Sequence, residues 1–155
     1  MRERVLITGI GGFAGRHLAE RLRNSGDVEL LGLGTAATTT VSCHRYFACD
    51  LTDARLTSQI VDDLRPDVGF HLAARTGGAT TQRLRDVNVR GFVNLCDALR
   101  NWAVRRRQSV RLVTIGSAAE LGTRGTARLP VGENAPCGPE TDYGRSKLDV
   151  TLRAL

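Results

Sequence analysis

The chain has 155 residues, 41% of them hydrophobic and 25% charged, which is one domain of globular rather than disordered composition, long enough to bury a core. No apolar run approaches the ~20 residues that span a bilayer, and the start, MRERVLITG, passes from charge directly into a strand-like run without a signal-peptide profile, so the reading is a cytoplasmic protein without a membrane partner. The net charge of +6 does not argue for nucleic acid, because the one dense basic run, Arg105 to Arg111, interleaves no aromatic for base stacking and reads as a solvated helix end.

The first predicted strand, RVLITG (4–9), runs into Gly9, Gly11, Gly12 and Gly15 and then into a helix over 15–26 with Leu18 and Leu22 on one face. A pyrophosphate needs such a place: a tight turn with φ > 0, and a close approach to free N–H groups at a helix N-terminus. The bland alternative is a tight turn without a ligand. A second strand, VELLGLG (28–34), and a short third, RYFAC (45–49), follow. RLTSQIVDDLRP (55–66) places Leu56, Ile60 and Leu64 at helical spacing and stops at Pro66. Next come a strand VGFHLAA (68–74), a long helix over 83–104 with Val89, Phe92, Val93, Cys96 and Leu99 inward, and a strand VRLVTIGS (110–117). The Gly/Pro-rich stretch 122–142 reads as a long loop, functional or mobile. A last helix begins at TDYGRSK.

Strands alternating with helices imply βαβ units and a parallel sheet covered on both faces, and nothing divides the chain, so 1–155 reads as one α/β domain. Cys43, Cys49, Cys96 and Cys137 form no CxxC pair and no ligand spacing, so they read as buried or idle thiols, with no metal site.

Of 22 Lys+Arg residues, 21 are arginine; Lys147 is the sole lysine, four residues after Tyr143. On a helix that spacing puts both side chains on one face. A phenol with an ordinary pKa of ~10 is a poor base at neutral pH, and a nearby ammonium favours the phenolate. A compact ammonium with three donors can face a phenol and a pair of ribose hydroxyls together, which arginine's planar fork does not do equivalently.

Together the motifs resemble the short-chain dehydrogenase/reductase superfamily. In TGIGGFAG (8–15), Phe13 points to its extended branch, the NAD(P)-dependent epimerase/dehydratase family. CDLTD (49–53), HLAA (71–74), NVRGFVNL (88–95), IGSAAELG (115–122) and YGRSK (143–147) follow in the family's order. The resemblance implies a Rossmann-type doubly wound parallel sheet holding NAD(P) on Gly9, Gly11, Gly12, Phe13 and Gly15. It places Asp50, with Leu51, near the adenine amino group, and Leu72, Ala73 and Ala74 along the ribose and phosphates. Asn88 would brace the neighbouring strand. Ser117 would hold the reacting oxygen, unless it only caps the strand end; Tyr143 would exchange the proton, and Lys147 would hold the ribose. Glu120 is a candidate substrate contact, and otherwise a surface residue. No acidic residue follows the second strand, where Gly32 and Gly34 stand, and no arginine is near in sequence; the reading leans slightly to NADP(H).

The implied substrate is a nucleotide sugar or a similar hydroxyl/keto compound, and Leu121 before Gly122 makes the pattern look closer to 4-ketoreductases than to UDP-galactose-type epimerases. Extended members continue for about as long again, so the resemblance implies a C-terminally truncated chain that lacks most of the substrate pocket. A second reading follows: a non-catalytic dinucleotide-binding module, or a subunit whose sheet a partner completes. Family members also commonly form homodimers through the long helices.

Overall fold

A strand with neighbours on both sides and helices on both faces must be apolar at successive positions. Val5, Leu6 and Ile7 are all buried, and they form the middle of β1 (Glu3–Thr8). In this computed structural model, residues 2–78, 80–125 and 130–155 are described. β1 is the centre of a five-stranded sheet in the order β3-β2-β1-β4-β5, with β2 (Val28–Gly34), β3 (Arg45–Ala48), β4 (Val68–His71) and β5 (Arg111–Thr114). Every ladder is parallel, as the Rossmann-type expectation requires.

The helices are α1 (Phe13–Ser25), α2 (Ala54–Leu64), α3 (Thr81–Arg85), α4 (Gly91–Arg106), α5 (Gly122–Gly125) and α6 (Asp142–Ala154). A 3₁₀ turn, Ala118–Glu120, follows β5. Among the described residues no helix is long and apolar enough to cross a membrane.

Alternate residues of β1 and β2 serve opposite cores, because side chains of a strand alternate between faces. Ile7 and Leu30 pack with Ile10 and Ala19 under α1. Leu6, Leu31 and Leu33 pack with Ile60, Val61, Leu64, Leu95, Leu99 and Trp102 of α2 and α4. Val150 of α6 joins Val89 and Phe92 in a third cluster. The long helix therefore has two buried sides, and Leu95, Ala98 and Trp102 lie inward beside the residues its spacing pointed to.

Several boundaries differ from the sequence reading. β4 stops at His71 and β5 at Thr114 because their ladders run out there, Thr8 pairing with His71 and His71 with Thr114. The helix expected over 83–104 starts at Thr81, where Thr80 caps it through the Arg83 N–H, and it contains a π turn, Asp86–Arg90, between α3 and α4. The loop expected over 122–142 begins with α5 and is pinned at its neck by the Gly138 N–H on the Glu120 carbonyl at 3.2 Å; residues 126–129 lie outside the described residues.

Cover on both faces also stops short at β5. Val113, beside Phe70 on the α1 face, is 42% exposed, and Ile115 is 52% exposed.

Candidate active site

At two positions of the glycine turn, Gly9 and Gly15, no other residue fits. Gly9 has φ +70, and its N–H donates to the Leu33 carbonyl at 2.8 Å. A Cβ on Gly9 would lie 2.8 Å from the Ala73 backbone, and one on Gly15 would lie 2.4 Å from the Gly9 carbonyl oxygen. The first turn of α1 is thereby pressed against the end of β1. Gly12 is its N-cap and brings no side chain to the helix end, which leaves that end to an anion. Gly11 is different: a Cβ there meets nothing within 4 Å. Phe13 is 84% exposed beside the turn, edge-on to the His17 ring.

Beyond the turn, the strand ends border a cavity of about 210 Å³, lined by residues that include Leu33, Gly34, Asp50, Leu51, Ala73 and Ala74. Asp50 accepts from the Thr52 N–H and hydroxyl at 3.0 and 2.8 Å and pairs with Arg83 at 3.1 Å. The Thr52 N–H is the main cause that holds its carboxyl below the usual carboxylate range; the Thr52 hydroxyl and Arg83 act in the same direction against desolvation. After β2, Gly34 and Thr35 line the cavity where a carboxylate was absent from the sequence. No arginine was near in the chain, yet folding brings Arg75 and Arg83 to the cavity wall. An arginine on a short polar helix carries no signal of that destination.

At the end of β4, His71 is buried, with Nδ1 2.9 Å from the Thr8 hydroxyl. Burial, and then the charge of Lys147, pull its pKa from 6.5 down to about 4. Between those values the unfolded chain takes up a proton that the folded ring refuses, so stability falls as pH drops through that window, by about 3 kcal/mol in full. Urea unfolding at pH 7 and pH 4.5 should show this loss, and His71→Asn should flatten it.

Lys147 lies on α6, 6% exposed. Burial lowers its pKa, and the nearby Glu120 carboxylate opposes the shift. Tyr143, one turn before it, is half-buried on the same helix face. Arg145 between them is exposed and pairs with Asp142 at 2.9 Å. The turn carrying Ser117 and Glu120 packs on the start of α6: a Cβ on Gly144 would stand 2.4 Å from the Ala119 carbonyl oxygen. Ser117 N-caps that turn. Its Oγ accepts from the Ala119 N–H at 3.2 Å, and its N–H donates to Glu120 Oε1 at 2.7 Å. The hydroxyl proton of Ser117 is thereby left for another acceptor. Glu120 is buried, so its fallback as a surface residue does not hold; its side chain closes the capping box.

Asn88 ties the parts together. It accepts from the Arg75 N–H at 2.7 Å, and donates to the Arg75 carbonyl at 3.0 Å and to Ser146 Oγ on α6 at 2.9 Å. The bracing reaches the segment after β4 and the helix of Tyr143 in one step. Ser146, read over in YGRSK, completes it by donating to the Tyr143 carbonyl at 2.8 Å. Asn88→Ala strands these groups and should cost roughly 1–3 kcal/mol in urea unfolding.

A model of a family described as NAD dependent epimerase/dehydratase matches residues 5–152. UDP-glucose 4-epimerase of Lactobacillus helveticus is 30% identical over 94% of this chain and 44% of its own length. dTDP-4-dehydrorhamnose reductase of Aggregatibacter actinomycetemcomitans is 31% identical over 94% and 45%. Among solved structures, the Bordetella bronchiseptica enzyme WbmG in complex with NAD and UDP superposes with a TM-score of 0.82 at 27% identity, over 98% of this chain and 49% of that one. UDP-glucose 4-epimerase from Brucella ovis in complex with NAD gives 0.81 at 26%, over 97% and 46%. The chain spans about half the length of the curated relatives it matches.

Proposed function

This chain belongs to the NAD dependent epimerase/dehydratase family, and from that premise we infer that residues 1–155 form its NAD(P)-binding part and carry a Ser-Tyr-Lys site acting on a nucleotide sugar or a related hydroxyl/keto substrate. The residues fit the dinucleotide: Gly9 and Gly15 let the turn seat α1 closely on β1, where a Cβ would meet backbone, and the α1 N-terminus beside the open Gly11 has no side-chain cap. When bound, the nicotinamide supplies the hydride donor and acceptor.

The chain's own groups do the rest. The α1 N-terminus, Gly11 and Gly12 take the pyrophosphate, with Phe13 beside it, and Asp50 and Leu51 take the adenine. Leu72, Ala73 and Ala74 border the path between them. Lys147 holds the ribose hydroxyls from the helix face that it shares with Tyr143. Tyr143 exchanges a proton with the reacting oxygen while the Ser117 hydroxyl donates to it as charge develops.

One observation carries this reading. The sole lysine is buried to 6% exposure on the helix face of Tyr143. Lysines are almost never that buried without a task or a partner. A module that binds without catalysis would use the lysine for the ribose but leaves its pairing with Tyr143 and Ser117 without a task, and is not favoured.

Titration with NADH and NADPH, followed by nicotinamide fluorescence, tests the dinucleotide. Saturable binding is expected, and binding of neither sinks the reading. Without a carboxylate after β2, NADPH is expected to bind at least as well as NADH; a clear preference for NADH reverses that lean.

A further inference from the structure

Asp50 is the one carboxylate among the residues that line the cavity. A carboxylate offers about four acceptor positions. On Asp50, Oδ1 accepts twice from Thr52, and Oδ2 accepts once from the Arg83 guanidinium. About one position is left, on the oxygen that Arg83 holds. The cavity walls are largely apolar, with Leu33, Leu51, Ala73 and Val87 beside Arg75, Arg83 and the threonines Thr8 and Thr35. That is the recognition chemistry for a flat heterocycle with one N–H donor on its edge.

Arg83 does not reach Asp50 from a loose surface. Its own N–H is capped by Thr80, Leu84 beside it is buried, and Thr81 in the same helix donates to Asp142 at the start of α6. The Arg83–Asp50 pair itself is about half exposed, 45% and 41%. A pair so exposed adds little to stability. Its geometric effect is larger, since Thr52 fixes one carboxylate oxygen and, among the described residues, only Arg83 fixes the other.

We propose that Arg83 is a specificity-determining positioning residue. By holding Asp50 Oδ2 it aims the last open acceptor at the exocyclic amino group of the bound nucleotide's purine. The site then selects a 6-aminopurine over a 6-oxopurine, whose oxygen would face the carboxylate. This rests on the dinucleotide reading above.

The test measures the affinity of NAD and of nicotinamide hypoxanthine dinucleotide by calorimetry, for the wild-type chain, Arg83→Met, Arg83→Lys and Asp50→Asn. The wild type should favour the adenine form by about tenfold, the value of one hydrogen bond to a charged group. Arg83→Met should erase most of that ratio by weakening the adenine form alone, and Arg83→Lys should restore part of it. In an Asp50→Asn background, Arg83→Met should change nothing further. Equal weakening of both ligands by Arg83→Met, an unchanged ratio, or a wild type that does not discriminate overturns the proposal while leaving the dinucleotide reading standing. A wild type that binds neither ligand overturns the dinucleotide reading itself.

Discussion

Tyr143→Phe is expected to lower turnover of a nucleotide sugar by about 10²–10⁴-fold, the usual contribution of a positioned acid/base, while dinucleotide affinity stays nearly the same. The substitution removes one oxygen from a half-buried side chain and leaves the α6 backbone frame intact. That frame is set elsewhere: Thr141 caps the helix through the Gly144 N–H, Gly144 seats it on Ala119, and Ser146 fastens it to Asn88. Steady-state rates set beside fluorescence titration separate chemistry from binding. Equal turnover in the variant would remove Tyr143 from the site. Lys147→Arg should damage both rate and affinity, because a planar fork must enter a buried slot shaped for an ammonium.

The second large effect falls on the glycine turn, where one methyl group separates folding from binding. Gly15→Ala puts its Cβ 2.4 Å from the Gly9 carbonyl oxygen, and backbone cannot step aside as a side-chain tip can. Overpacking of this kind costs roughly 1–3 kcal/mol, and more where backbone must move. Both the urea midpoint and dinucleotide affinity should fall. Gly11→Ala is the counterpart, since its Cβ meets no atom of the chain within 4 Å. Stability should hold there, so any loss of affinity reports a ligand lying across Gly11. If Gly15→Ala folds and binds like the wild type, the tight seating of α1 on β1 is not what makes the cradle.

Much of this arrangement is legible in the linear chain because its determinants are local. TGIGGFAG carries its own strand end, turn and helix start, and the four-residue spacing of Tyr143 and Lys147 needs only a helix to become a shared face. What is not legible depends on partners far along the chain. Glu120 looks like a free carboxylate until its side chain is seen on the Ser117 N–H, in a turn buried by α6. Arg83 is one of 21 arginines, and only a contact to Asp50, 33 residues away, gives it a place. β4 and β5 end early for the same reason, since apolar residues continue past His71 and Thr114 but the neighbouring strand does not.

The π turn at Asp86–Arg90 has a consequence in helical phase. A regular helix advances about 100° per residue, and a π turn takes in one extra residue. That extra step lets one continuous rod satisfy two unrelated alignments. Beyond it, α4 points Leu95, Leu99 and Trp102 at the sheet. Before it, α3 points Thr81 at Asp142 and Arg83 at Asp50. Regular α geometry over the same residues, without that wide turn, would rotate α3 by about 100° against α4. Leu84 would then leave the interior, and both polar contacts would swing off their targets, although no contacting side chain had been changed.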